Sequence, residues 1–138
     1  MELEDFVNVY YRLDNVEDVE SYCEYMGFNS RKQAKLIKKN QYVYLKHTCC
    51  GYGFNLYKRT GLLRIKLPVK PNTSFREFSW NNGFCQSSLQ MLGNKIIHTQ
   101  NGRKQIVTVR EFFEDGMKAI ITVDKSVMLT KYYVMVDK

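Results

Sequence analysis

Four cysteines and two histidines are the side chains here best suited to hold a metal or attack a carbonyl, and their spacing supports neither chemistry. Cys23, Cys49, Cys50 and Cys85 make no CxxC pair. The adjacent Cys49-Cys50 is poorly placed for a disulfide framework or a tetrahedral metal site, so all four read as reduced packing thiols. His47 and His98 fall in strand-like segments with no Cys, Asp or Glu at ligand spacing, and read as satisfied strand residues. There is no nucleophile elbow, phosphate loop, HExxH or supported carboxylate pair, so neither an enzyme nor a bound metal or cofactor is expected. Cations stand out instead: Arg31, Lys32, Lys35, Lys38 and Lys39 follow closely with no acid among them. Such a face suits docking on anionic phospholipid, where each charge contributes about 1 kcal/mol. It equally suits a solvated helix face that only aids solubility.

Those cations lie on the second of two helix-like segments. Asn15 is placed to cap the first, Val16 to Met26, in which Val16, Val19, Cys23 and Met26 repeat at helical spacing and Gly27 supplies the stop. Ser30 with Gln33 makes a capping-box pair for the second, Ser30 to Lys39, whose apolar stripe of Ala34, Leu36 and Ile37 is narrow enough for a lid on a surface. A strand from Phe6 to Leu13 precedes them, with Phe6, Tyr10 and Arg12 on one side and Val7, Val9 and Tyr11 nearer the other.

From Gln41 the period changes to two. Strands are expected at Tyr42–His47, Gly53–Tyr57, Leu62–Val69, Phe75–Phe78, Phe84–Met91, Lys95–Thr99, Gln105–Glu111, Lys118–Val123 and Leu129–Val136. Turn chemistry separates them, most clearly at Leu92-Gly93-Asn94, Asn101-Gly102, Glu114-Asp115-Gly116 and Asp124-Lys125-Ser126. Ten antiparallel strands in up-and-down order, with a two-helix lid at about 16–39 between the first and second, describe a mainly β closed barrel wide enough to enclose a small apolar ligand. The 138 residues form one domain, 1–138. The acidic opening Met1-Glu2-Leu3-Glu4-Asp5 is unlike a signal peptide and no stretch is long enough to span a bilayer, so the expectation is a soluble, cytoplasmic monomer.

The net charge of +7 hides a split: residues 1–26 hold eight acids against Arg12, which leaves +14 on the rest. Together with Tyr42, Tyr44, Tyr52, Phe54 and Tyr57, this admits an alternative, a basic β-barrel interaction or nucleic-acid-binding protein without a lipid ligand. Ten strands are too many for a five-stranded oligonucleotide-binding barrel, and no RNP-like, zinc-finger or helix-turn-helix signature is present, so nucleic acid is the less favoured partner.

The order of Phe6-Val7-x-x-Tyr10, Val19-x-x-Tyr22, Gly27-Phe28-x-Ser30-Arg31-Lys32, Ser74-Phe75-Arg76-Glu77-Phe78, Ile97-His98-x-Gln100 and Leu129-Thr130-Lys131-Tyr132-Tyr133 resembles the intracellular lipid-binding proteins, which include the fatty-acid-binding proteins. The resemblance spans nearly the whole chain and implies a lipocalin-like, calycin barrel. Departures are Tyr10 where the family usually has Trp, extra residues around Thr48-Cys49-Cys50-Gly51, and Lys58-Arg59-Thr60-Gly61 at a portal turn.

The resemblance implies non-covalent binding and transport of a long-chain fatty acid, its carboxylate held by an Arg-x-Tyr pair on the last strand and a further Arg. The matching positions are Lys131 and Tyr133, with a lysine point charge where the family has a planar fork. The further Arg falls on Arg110 or Glu111, according to how the Asn101-Gly102 turn is counted; an inward Glu111 would pair with Lys131 and argue for a neutral ligand. Alternation alone groups Met128, Thr130, Tyr132, Val134 and Val136 as the apolar face and would place Lys131 outside; in a wet polar cavity that rule relaxes, and the family pattern places it inside. Tyr22, Lys32, Tyr57 and Lys58 are expected at the portal, with Tyr22 and Tyr57 touching ligand.

Overall fold

The computed structural model describes residues 2–48, 53–70, 73–79 and 81–136. After a single 3-10 turn, Leu3–Phe6, come β1 (Tyr10–Glu17), α1 (Val19–Met26) and α2 (Ser30–Leu36), then β2 (Gln41–His47), β3 (Phe54–Thr60), β4 (Leu63–Val69), β5 (Thr73–Ser79), β6 (Gly83–Leu92), β7 (Lys95–Asn101), β8 (Gln105–Phe112), β9 (Gly116–Val123) and β10 (Val127–Val136). All ten strands join one antiparallel sheet in the order β4-β3-β2-β1-β10-β9-β8-β7-β6-β5. Pairing of the first strand with the last rolls the sheet into a nearly closed barrel, with β4 and β5 as its two ends.

The main departures from expectation lie in the first 40 residues. Phe6 belongs to the 3-10 turn rather than a strand, and with Leu3 it plugs one end of the barrel against Phe112, 5.8 Å between ring centroids. The first strand starts at Tyr10 and runs on to Glu17, because beyond a bulge between Leu13 and Asn15 the backbone stays paired with Thr130–Tyr132 of β10. Those ladder hydrogen bonds outweigh the helical spacing of Val16, so α1 starts at Val19, after Asp18 at φ 63. Gly27 ends it as expected, at φ 72, with its N–H on the Glu24 carbonyl. Asn29, rather than Ser30, caps α2 by accepting from the Lys32 N–H at 3.0 Å. That helix stops at Leu36, so Lys38 and Lys39 lie beyond it, and Lys39 Nζ donates to the Asp14 carbonyl. The later strands match expectation to within a few residues at each end.

Two apolar clusters sit at opposite ends of the interior. One gathers Leu3, Phe6, Tyr11, Leu13, Leu45, Leu56, Phe112 and Met117; the other seats the helices through Tyr22, Cys23 and Leu36 on Ile106, Val123 and Leu129. Along β8 the inward residues run Ile106, Thr108, Arg110, Phe112, and along β10 they run Leu129, Lys131, Tyr133. Each strand thus starts in the lid cluster, crosses a polar belt and ends in or beside the plug cluster. Cys23 and Cys85 are buried free thiols, while Cys49 and Cys50 lie outside the described residues.

Candidate functional site

The belt is assembled by strand register. Lys131 on β10 and Arg110 on β8 are both paired to Ala119 of β9, so they share one inward row, separated by two strand spacings, roughly 9–10 Å of backbone. Ala119 puts only a methyl group between them. Tyr133, one inward position further along β10, pairs with Met117. Arg110 is the inward residue of its pair: it is 7% exposed, whereas Glu111 lies on the outer face and meets Lys95 at 3.8 Å. The Asn101-Gly102 ambiguity thus resolves in favour of Arg110, and Glu111 does not neutralise Lys131.

Lys58 reaches the same belt from β3. It shares the inward face with Leu56, which is fully buried, and stands opposite Val43 of β2 and Ile65 of β4. From β5 comes Glu77, whose Oε2 lies 2.6 Å from Nε2 of His98 on β7. Phe75, inward beside Glu77, stacks on His98 at 6.1 Å between centroids.

Electrostatics follow from burial. Burial opposes ionisation of Glu77, yet the hydrogen bond from His98 and the polar side chains around it outweigh burial and hold the carboxyl at about 2. An ionised Glu77 can only accept, so Nε2 of His98 carries the proton and donates. Burial, reinforced by Arg110 and Lys58, keeps His98 below its usual value, and it is neutral at pH 7. Burial and then Arg110 lower Lys131 to about 8; its Nζ donates to Gln41 Oε1 at 3.3 Å. Burial, with Arg110 and Lys131 adding repulsion against the pull of Glu77, lowers Lys58 to about 7. Burial pushes Tyr133 up to about 12 despite the nearby Arg110, so its phenol remains a donor. Burial also lowers Arg110, whose guanidinium stays charged.

At pH 7 the belt therefore holds two cations, Arg110 and Lys131, and a half-protonated Lys58 against one carboxylate, and that carboxylate is already engaged by His98. Nη1 of Arg110 is buried and has no hydrogen-bond partner among the described residues. Lys58, Phe75, Glu77, Ile121 and Lys131 face inward and are half-buried rather than sealed in the core. A separate cleft of about 370 Å³, lined by Leu13–Val16, Val19, Glu20, Gln33, Ile37 and Lys39, opens between the helices and the bulged part of β1 and shares no residue with the belt.

Other expected site residues are placed differently. Tyr57 points outward: its neighbours Leu56 and Lys58 face in, so the aromatic expected against ligand lies on the outer wall, stacked on Tyr44 at 5.1 Å and with the Arg64 guanidinium over its ring at 5.3 Å. Tyr22 is fully buried in the lid cluster against Phe28, its hydroxyl accepting from Asn81 Nδ2 at 3.4 Å, so it holds the lid down. Lys58, expected at the portal rim, is an interior residue. Arg31, Lys32, Lys35, Lys38 and Lys39 are all exposed, Lys32 lying over the Phe28 ring at 5.1 Å. Glu77 and His98 were not expected as members of any site. Their signal was alternation: Phe75 and Glu77, and His98 and Gln100, each occupy same-face positions two apart.

No family model matches the sequence, and no curated protein matches it. Solved structures do share the fold. A fatty-acid-binding protein of Schistosoma mansoni, in complex with arachidonic acid, is 16% identical, with a TM-score of 0.83 over 99% of this chain and 100% of that one. Lipid binding protein 8 of Caenorhabditis elegans, in its apo form, is 14% identical, with a TM-score of 0.81 over 99% of both chains. The fatty-acid-binding protein from Drosophila melanogaster brain tissue is 22% identical, with a TM-score of 0.80 over 94% of this chain and 98% of that one. The ten-stranded barrel with its two helices is thus the fold of the fatty-acid-binding proteins, carried by a divergent sequence.

Proposed function

We propose that this barrel binds and carries a long-chain fatty acid, with the carboxylate on Arg110, Lys131 and Tyr133 and the acyl chain against the apolar inner wall. The observation that carries the reading is the buried Arg110 guanidinium with an unpartnered Nη1, in a belt whose cations outnumber its one carboxylate. A buried cation without a counterion is costly, and a ligand carboxylate with two donors beside it relieves that cost. Each acyl methylene taken from water adds roughly 0.8 kcal/mol, enough for micromolar or tighter binding after ordering costs. The solved relatives in fold include one in complex with arachidonic acid, which supports the same ligand class here. A cytoplasmic, monomeric carrier is part of the proposal, and free, buried Cys23 and Cys85 fit a reducing compartment.

Displacement of a fluorescent fatty acid from delipidated protein tests this. Arg110→Met and Lys131→Ala are each expected to weaken binding about ten- to hundred-fold, the loss of a charge-assisted hydrogen bond in a buried site. Full affinity in both variants would overturn the assignment.

Delivery at membranes is part of the proposal. The exposed Arg31, Lys32, Lys35, Lys38 and Lys39, beside exposed Ile37 and the Leu62-Leu63 tip of the β3–β4 turn, form a basic surface with apolar projections suited to anionic phospholipid. Transfer to vesicles that speeds up with anionic lipid and slows with salt is the expected result; a rate indifferent to both sinks the docking step.

A second reading rests on the outer wall of β1–β3. Tyr10, Tyr44 and Tyr57 stack in succession, with Lys46 near the first two rings and Arg59 over Tyr42 at 4.9 Å. Basic and aromatic residues so arranged suit single-stranded nucleic acid. Salt-dependent retention on single-stranded DNA that is lost in Tyr44→Ala would favour it.

A further inference from the structure

Lys58 differs from every other described lysine in its surroundings. It sits half-buried on the inward face of β3, beside the fully buried Leu56, and no hydrogen bond or ion pair joins it to another described residue. Lys131, the other interior lysine, has Gln41 as a partner. The groups acting on the Lys58 amine are Arg110 and Lys131, which repel its proton, and Glu77, which attracts it but is engaged by His98. An amine buried on the inner wall beside two cations is in the setting that makes lysine a nucleophile.

We propose that Lys58 captures long-chain aldehydes that enter the barrel, holding them covalently as an imine. The inference rests on the barrel interior being a ligand site. In the step, the Nζ lone pair attacks the aldehyde carbon, and the carbonyl oxygen takes up a proton to give a carbinolamine. That hydroxyl leaves as water as the C=N bond forms, so amine and aldehyde become imine and water with no oxidant or reductant. Hydrolysis reverses it, which suits a carrier that must release its cargo.

The same belt then sorts two ligand chemistries. A fatty acid brings a carboxylate that pairs with the cations and favours the protonated, unreactive form of Lys58. An aldehyde brings no charge and leaves the amine free. At pH 7 an amine lowered to about 7 is about half neutral, against roughly one in 2,500 for an ordinary lysine.

The test is incubation of delipidated protein with limiting dodecanal and sodium cyanoborohydride at neutral pH, followed by peptide mapping. The expected result is one reduced adduct, with label on Lys58 at least about tenfold above that on any exposed lysine. Excess palmitate should suppress it, and Lys58→Arg, which keeps the charge but not the reactive amine, should abolish it while retaining the wild-type far-ultraviolet spectrum. Label spread over surface lysines, label centred on Lys131, or undiminished labelling in Lys58→Arg overturns the proposal. Fluorescent fatty-acid binding measured on the same preparation separates the two readings: binding without Lys58 labelling removes aldehyde capture alone, and absence of both removes the carrier reading too.

Discussion

The interior lysines make the stability of the empty barrel depend on pH with a defined sign. The unfolded chain keeps both lysines protonated until the ordinary lysine range near 10.4, while the folded chain releases protons from Lys58 near about 7 and from Lys131 near about 8. The unfolded state therefore binds more protons at neutral pH, and stability rises with pH. Between pH 6 and pH 8 the gain is about 2 kcal/mol, most of it from Lys58. In a chain of 138 residues this corresponds to a rise of roughly 6 °C in Tm. His98, lowered by burial, adds in the same direction as pH rises through its ordinary range. Above pH 8 the raised thiols of Cys23 and Cys85 work the other way, because unfolded thiols ionise first, so pH 8 is the useful upper limit. The assay is urea unfolding of delipidated protein at several pH values, beside the Lys58→Met, Lys131→Met double variant, which should show only the shallower residual slope. Stability that falls from pH 6 to pH 8, or a variant with the wild-type slope, would refute the placement of these lysines in the belt.

Three further outcomes follow from residue placement. Tyr57→Ala should leave fatty-acid affinity within about twofold, since its ring lies on the outer wall; a larger loss in a displacement assay would put it back at the ligand. Tyr22→Ala should destabilise by about 3–5 kcal/mol, read as a lower urea midpoint, because a fully buried aromatic leaves a cavity under the lid. Phe6→Ala should lower stability by a similar amount, about 3–5 kcal/mol, through loss of the plug against Phe112, and circular dichroism melts would show it.

Much of the barrel was legible because strand periodicity is local. The alternation from Gln41 onward, broken by turns such as Asn101-Gly102, places every later strand. The lid was less legible at its edges. Val16 fits helical spacing, but Asn15–Glu17 are claimed by β10, more than a hundred positions away in sequence, and no local pattern reveals that competitor. Facing within strands was the hardest to read. Lys131 lies inside although the alternating apolar residues of its strand suggested otherwise, since the inner wall is itself polar at that level. Tyr57 and Lys58 were expected together at the portal, and the period of two necessarily sends one of them outward. His98 read as a satisfied strand residue, and so it is; its partner Glu77 lies two strands away and could only be found through register.

The seam between β1 and β10 also governs how the chain reaches this shape. Tyr10–Arg12 can pair with β2 early, but Asn15–Glu17 pair only with the last strand, so the second half of β1 waits until nearly the whole chain is available. Closing so long a loop carries its entropy cost before the seam's hydrogen bonds offset it, and the plug formed by Leu3 and Phe6 on Phe112 waits for the same event. Seam formation should therefore be the slow step of folding, and until it occurs the side of the opening strand that meets β10 stays an unpaired edge open to association with other chains.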